Sequence, residues 1–208
     1  MSNLTGAILT ITILTISSML IGVTIASVLN NESKELTTDQ DLEKLASQAV
    51  DEISTYLQIR DQIGKYSIIN GEYRLEKIAI LISPLVSQKI DVSKLTIQLY
   101  NSESLKILNF KNNIECLDSN TIFDHPIWDN LDGKYFSYIS ISDSDKSLTT
   151  SNILNDYSDN IYIVIKLPLD MTMKYNEKIV VTLFPETGLK RTLTLEAPLP
   201  MNQVVKFE

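Results

Sequence analysis

The first thirty-one residues contain no charged side chain, and this feature constrains the fold more than any other. Residues 4–29 are apolar and long enough to span the roughly 30 Å hydrocarbon layer of a membrane as one α-helix. A secretory signal peptide has a shorter apolar run, a basic region before it and a small-residue cleavage site after it. The length therefore predicts a membrane segment. No Lys or Arg precedes this segment, and we expect that a basic leader has been removed, so that Met1 is the first residue of a processed chain.

One side of this segment carries small side chains at intervals of four residues. The row consists of Gly6, Thr10, Leu14, Ser18, Gly22 and Ala26, in which Leu14 is the one large side chain. Small side chains allow the backbones of two helices to approach closely. The row therefore predicts a helix that packs against other helices. The alternative interpretation is a single-span anchor that faces lipid.

A second helical pattern follows a polar break after the apolar segment. Apolar side chains recur at spacings of four and three residues, at Leu42, Ala46, Ala49, Ile53, Tyr56 and Ile63. Arg60 is the one polar member of this row. This is the stripe of an amphipathic helix. We predict a helical N-terminal region over residues 1–63, either as one rod or as two helices. A surface helix lying on its own globular domain is the alternative for the second half.

The hydrophobic period changes from 3.6 to 2 after Gly64, which is the alternation of β-strands. Asn70-Gly71 tolerates the positive φ of a tight turn and predicts a hairpin between residues 66–69 and 73–82. Further strands are predicted at residues 95–100, 105–110, 135–141, 161–167, 178–184, 190–195 and 204–207. Many short strands favour an antiparallel, immunoglobulin-like β-sandwich head over residues 64–208, which makes the chain an α+β protein.

Residues 112–160 carry nearly all of the net charge of −8, since nine acidic and two basic side chains there give −7. Calcium prefers oxygen ligands, and the candidate ligands in this stretch are Asp129 with Asp132 and Asp143 with Asp145. Neither pair fits the helix–loop–helix calcium loop, which requires a Gly at its sixth position and a Glu at its twelfth. A solvated acidic loop is the alternative.

The remaining composition excludes several classes of function. The single cysteine, Cys116, forms neither an internal disulfide nor a multi-cysteine zinc site. The acidic balance and the lack of a basic stripe argue against a nucleic-acid partner. The sequence has no Gly-rich phosphate loop and no nucleophile elbow, and His125 beside Pro126 and Trp128 is interpreted as a packed turn. We predict a protein without catalytic activity and without a cofactor other than the candidate calcium ion.

An uncharged helix that continues as an amphipathic rod into a β-sandwich resembles the type IV pilin plan, and specifically archaeal flagellin (archaellin). Residues 76–84 and 90–97, EKIAILISP and IDVSKLTI, are similar to the family's strand, short loop and Ile-Asp-Leu-Ser turn. Residues 179–188 and 192–195, followed by Pro198, resemble its closing hairpin and terminal proline segment.

The likeness covers residues 1 to about 100 and 160 to 208, so residues 112–160 are interpreted as a variable outer insertion. The resemblance implies a structural subunit of the archaeal swimming filament that polymerises through its N-terminal helix, with itself or with sister subunits. It also implies a basic leader cut by a prepilin-type peptidase and a precursor that passes through the cell membrane. A membrane assembly and motor complex then places the subunit in an extracellular filament.

Archaellin heads often carry N-linked sugars, but no Asn-x-Ser/Thr sequence lies in residues 64–208. Two such sequences lie before residue 64, at Asn3, which would lie in the apolar helix, and at Asn31, which is the candidate for glycosylation. Two other functions remain open at this point. One is an archaeal adhesive pilin of the same build, and the other is a membrane-anchored envelope component such as a motor stator subunit.

The substitution Gly22→Asp tests whether the small-residue row packs in a filament core. An unpaired carboxylate buried among apolar helices costs several kcal/mol. We therefore expect no filaments on the cells by electron microscopy, while the β-sheet circular dichroism of the solubilised subunit matches that of the unaltered chain. Normal filaments from this variant would contradict the assignment.

Overall fold

The computed structural model describes residues 56–87, 89–111, 121–186 and 188–207. Residues 1–55 of the predicted N-terminal helix, which include its packing positions from Gly6 to Ile53 and the candidate Asn31, lie outside the described residues. Within the described ranges, no helix is long and apolar enough to cross a membrane.

Strands make up most of the described chain. They are β1 (Leu57–Ile69), β2 (Glu72–Pro84), β3 (Ile90–Asp91), β4 (Thr96–Tyr100), β5 (Leu105–Phe110), β6 (Tyr135–Ser142), β7 (Ile153–Leu154), β8 (Asn160–Lys166), β9 (Lys178–Phe184), β10 (Arg191–Glu196) and β11 (Val204–Lys206). A short α-helix spans Ser147–Ser151, and 3₁₀ segments span Val92–Lys94, Ile122–Asp124, Pro126–Asn130 and Leu169–Met171. The strand predictions from residue 66 onward are therefore confirmed, with ends that differ by one or two residues except at the start of β1, which lies nine residues before the predicted one.

The hairpin predicted from Asn70-Gly71 is confirmed. β1 and β2 pair in antiparallel fashion up to Ile69↔Glu72. Asn70 and Gly71 both have positive φ, 53° and 80°. This conformation suits Asn and Gly in a two-residue turn, because the twist of such a turn matches the twist of the flanking strands.

The prediction that the helix extends to Ile63 is wrong for residues 57–63, which form the first half of β1. Backbone pairing with β2 holds this part of the chain extended. A register shift between Ile59 and Asp61 breaks the strict alternation of a strand. The apolar spacing in this stretch therefore resembled a helical stripe.

Gly64 lies inside β1 and does not end a helix. A Cβ atom at this position would lie 2.8 Å from Leu75 Cδ1 and 3.1 Å from the ring of Phe207. The absence of a side chain thus allows both apolar groups to approach the strand backbone closely, which is a common role of glycine within a sheet.

Nine strands form one sheet in the order β10-β9-β4-β5-β6-β8-β2-β1-β11, and β3 pairs separately with β7. The prediction of a β head is confirmed, but the prediction of a wholly antiparallel sandwich is wrong at one point. β5 and β6 pair in parallel through Asn109↔Tyr135 and Phe110↔Phe136, which joins the two half-sheets that an immunoglobulin domain keeps separate. A parallel pair requires a long connection, and residues 111–134 supply it.

The two half-sheets, β10-β9-β4-β5 and β6-β8-β2-β1-β11, enclose one hydrophobic core. Ile80 and Ile163 contribute from the second half-sheet, and Ile97 and Val181 contribute from the first. All four side chains are fully buried. This shared apolar core holds the two half-sheets face to face, as in a sandwich.

A second apolar layer covers the outer face of β6, β8 and β2. Ala79, Ile139 and Val164 on that face pack against a cluster of Phe123, Ile127, Trp128 and Leu131. The Trp128 indole N–H donates a 2.8 Å hydrogen bond to the Ile122 carbonyl oxygen. His125 is buried here and its Nδ1 accepts a hydrogen bond from the Ile127 N–H, which confirms the interpretation as a packed turn.

The interpretation of residues 112–160 as an outer insertion is wrong for most of the described part of that stretch. β6 lies in the middle of the sheet, between β5 and β8. The segment 122–131 forms the second apolar layer. The many acidic residues of this stretch made its apolar positions hard to recognise in the sequence, because the acidic residues lie in the turns between the buried ones.

The substitution Trp128→Ala tests whether the second layer stabilises the head. Truncating a fully buried aromatic side chain costs about 3–5 kcal/mol in the free energy of unfolding, which denaturant titration measures. Tyr157→Ala, at a side chain that is 65% exposed, is the matched control and should change stability by less than about 0.5 kcal/mol. Equal effects of the two substitutions would show that the 122–131 layer does not contribute to the core.

Candidate functional site

Antiparallel pairing of β6 with β8 brings two acidic loops together. Ser142 at the end of β6 pairs with Asn160 at the start of β8. Asp143 and Asp145 follow β6, whereas Asp159 immediately precedes β8. The three carboxylates therefore meet at one end of the sheet, although they are far apart in sequence.

One carboxylate oxygen from each of Asp143, Asp145 and Asp159 lies within 4.8 Å of the other two. Calcium binds oxygen ligands at 2.3–2.6 Å, so two ligands of one ion are at most about 5 Å apart. The oxygen spacing in this cluster thus suits a single calcium-sized cation. None of the salt bridges among the described residues reaches these carboxylates.

Backbone hydrogen bonds fix the buried member of the cluster. Asp159 Oδ2 accepts hydrogen bonds from the N–H groups of Asn155 and Asp156, at 3.0 and 3.1 Å. Asp156 Oδ1 in turn accepts from the N–H of Ser158 at 2.9 Å. The loop before β8 therefore folds around the Asp159 carboxylate.

The Asp145 carboxylate is held in its ionised form. Asn155 Nδ2 donates a 2.6 Å hydrogen bond to Asp145 Oδ2, and the Ser147 N–H donates a 3.0 Å bond to Oδ1. These bonds, that of Asn155 foremost, lower the pKa of Asp145 to about 2. Hydrogen bonds to the charged form stabilise it. Asp145 consequently carries a full negative charge at neutral pH, as a metal ligand requires.

Two oxygen atoms beside this cluster are shielded from solvent without a hydrogen-bond partner among the described residues. They are Asp143 Oδ1 and Asn155 Oδ1. Asp143 Oδ2 accepts hydrogen bonds from the N–H and hydroxyl of Thr149, at 3.2 and 3.0 Å. A shielded polar atom without a partner is destabilising. A bound cation would supply the missing partner to both oxygen atoms.

A cavity of about 150 Å³ adjoins the cluster and is lined by Ser144, Asp145, Asn155, Asp156, Ser158 and Asp159. A water molecule occupies roughly 30 Å³ of liquid, so the cavity has room for an ion with part of its hydration shell. The donor set consists of oxygen atoms, which calcium prefers over softer metals. The residues present thus fit a hard divalent cation.

The structure brings together one of the two predicted aspartate pairs. Asp143 and Asp145 belong to the cluster, whereas Asp129 and Asp132 lie outside it. Asp129 is exposed on the segment Pro126–Asn130, and Asp132 Oδ1 accepts a hydrogen bond from the Lys134 N–H.

Sequence reasoning missed Asp159 and Asn155 as members of the site. The available signal was the pair of predicted strands at 135–141 and 161–167. If these strands are antiparallel neighbours, the loop that follows the first meets the loop that precedes the second. Spacing along the chain carries no such information.

The chain matches the archaeal-type flagellin family over residues 6–195. It is similar to archaeal flagellin FlaB1 from Methanocaldococcus jannaschii, with a TM-score of 0.63 and 19% identity over 73% of this chain and 95% of that one. It is also similar to the archaeal flagellum of Methanospirillum hungatei strain JF1, with a TM-score of 0.50 and 14% identity over 100% and 99% of the two chains. At these identities the likeness to solved structures shows the fold alone. No curated protein sequence matches the chain.

Proposed function

The chain belongs to the archaeal-type flagellin family, and on that premise we propose that it is the structural subunit of an archaellum filament used for swimming. The observation that carries this proposal is the family match over residues 6–195, which extends from the uncharged segment into β10. The family is one of structural filament proteins. We propose that this chain likewise has no catalytic activity.

In this proposal the N-terminal residues form a long helix whose uncharged segment packs in the filament core. A buried charge among apolar helices would be costly, and the first thirty-one residues contain none. Transfer of the segment from a bilayer to a bundle of identical helices changes its apolar environment little. The small-residue row from Gly6 to Ala26 then provides close contact between neighbouring helices.

The same proposal includes the steps before assembly. A prepilin-type peptidase removes a basic leader from the precursor, which waits in the cell membrane through residues 4–29. A membrane assembly and motor complex then adds the subunit to the extracellular filament, alone or with sister subunits. An adhesive pilin would share this route and differ in not rotating, whereas an envelope or stator component would stay in the membrane.

Electron microscopy of material sheared from native cells, combined with mass spectrometry of the same fraction, tests this proposal. We expect thin filaments in which this chain is the main protein. Cells lacking the chain should lose swimming, which separates a swimming filament from an adhesive one. If the chain stays with the membrane pellet and no filament contains it, the envelope interpretation replaces ours.

We also propose that the Asp143–Asp145–Asp159 cluster binds calcium and that the ion ties the end of β6 to the start of β8. Three carboxylates within 4.8 Å repel one another, and a divalent cation would remove that repulsion. The support comes from the oxygen spacing and from the partnerless Asp143 and Asn155 oxygen atoms. Asp145, ionised and exposed, would be a ligand that an incoming ion can reach.

Thermal unfolding of the detergent-solubilised full chain, with calcium or with a chelator, tests the calcium proposal. Calcium at a hundred times its dissociation constant should stabilise the head by about 2.7 kcal/mol. Asp145→Asn should remove this increment, whereas the matched control Asp129→Asn should keep it, because Asp129 lies outside the cluster. Identical unfolding of the unaltered chain in calcium and in chelator would rule the site out.

A further inference from the structure

The outer face of the half-sheet β10-β9-β4-β5 carries an uncharged apolar patch. Two cross-strand rows cover this face, one from Ile107 to Thr192 and one from Leu105 to Thr194, and neither contains a charged residue. Tyr100, Leu105 and Ile107 stand on these rows and are 46–58% exposed. We call these three residues the outer-face patch. On the next cross-strand row of this face, Lys178 and Glu196 form a salt bridge with each other. Glu103, Asp170 and Glu177 line a pocket that Tyr100 also lines.

The other half-sheet differs in that its outer face is not left open to solvent. Its outer face is covered by the chain's own Phe123, Ile127, Trp128 and Leu131, all of which are buried. Among the described residues no comparable layer covers the outer-face patch. Large exposed apolar side chains grouped in this way mark interaction sites more often than singly scattered ones do.

A second apolar patch lies at the tip of the β1–β2 hairpin. Ile68 and Tyr73 are paired across the hairpin and continue the face on which Tyr66 and Leu75 are buried. Together with Leu199 and Met201, which follow β10, they form the tip patch. Its four side chains are 55–81% exposed.

The tip patch is concave. A pocket of about 270 Å³ lies between the hairpin and the segment after β10, and its lining includes Ile68, Tyr73, Pro200 and Met201. The inward face of the hairpin thus extends beyond the core without cover from the opposite half-sheet. Protruding apolar side chains of suitable size would fill this space.

Charge favours these two patches as the contact between identical chains. Each copy carries a net charge of −8, and juxtaposed like charges between copies cost several kcal/mol. The outer-face patch is uncharged. Beside the tip patch, the Glu72 carboxylate forms salt bridges with Arg74 and Lys174 at 3.1 and 2.9 Å. Neither patch itself therefore places a charged side chain in the contact.

We propose that the tip patch of one copy docks on the outer-face patch of the next copy in the filament, an inference that rests on the proposed filament function. A filament requires an open head-to-tail contact between two different surfaces, because a patch that pairs with itself closes a dimer. The two patches lie on different strands of the sheet, and a pocket makes the tip patch concave, whereas the side chains of the outer-face patch are exposed on a strand face. Ile107 and Leu105 of one copy enter the pocket between Tyr73 and Met201 of its neighbour.

A charge-swap series in the full chain, expressed in cells that lack the native copy, tests this contact. Ile107→Glu or Ile68→Lys places one unpaired charge in the interface, so each should lower filament yield by about tenfold or more. The double variant pairs the two charges between copies and should recover filament yield to within about threefold of the unaltered chain. Tyr157→Glu, at a 65% exposed side chain in neither patch, is the control and should assemble normally.

Two outcomes of this series of variants would overturn the inference. Either single variant assembling like the control would do so, as would a double variant no better than the worse single variant. Hydroxyl-radical footprinting of unaltered filaments gives a measurement that does not depend on folding of the variants. Tyr73 and Tyr100 should react several-fold more slowly in filaments than in detergent-dissociated subunits, and equal rates would also overturn the docking.

The same series separates this contact from the filament function. If only the docking inference is wrong, cells that express the unaltered chain still make filaments that contain it. If cells with the unaltered chain make no filaments that contain it, the proposed function itself fails.

Discussion

Burial of both faces of β2 is the constraint on which the described structure depends. Ile78, Ile80 and Ile82 point into the core between the half-sheets, whereas Ala79 packs under the Trp128 layer. Both edges of β2 are also paired, with β1 on one side and β8 on the other. A strand enclosed in this way has a nearly continuous apolar sequence. The pairing with β2 holds β1 and β8 in place on either side of it. Asp159, which immediately precedes β8, thereby lies in the acidic cluster.

Sequence alone predicted the features that depend on local chemistry. Asn70-Gly71 identified the hairpin because few residue pairs tolerate its backbone angles, and the strands from residue 95 onward were visible in their alternation. The first half of β1 was mistaken for helix, because a register shift gave residues 57–63 an apolar spacing compatible with both structures. The parallel β5–β6 pair and the partnership of Asp159 with Asp143 depend on which strands are neighbours, and spacing does not encode that choice.

Charge is distributed over this head in a way that suits a polymer of identical subunits. The acidic cluster sits at the junction of β6 and β8, where backbone hydrogen bonds, and in our proposal a calcium ion, offset the repulsion between carboxylates. The outer-face patch and the tip patch are free of net charge, and the first thirty-one residues contain no charge at all. In this account, subunits meet through uncharged surfaces, and the negative charge is kept on the solvated parts of the head.

The central claim, that the uncharged N-terminal segment drives polymerisation of an independently folded β head, is tested most directly by deleting residues 1–31. Analytical ultracentrifugation of the truncated chain, with electron microscopy of cells that express it, would give the answer. The account predicts a soluble monomer that unfolds in one cooperative transition with the β-sheet signal of the full chain, and no filaments. Filaments formed by the truncated chain would contradict it, as would a truncated head that fails to fold.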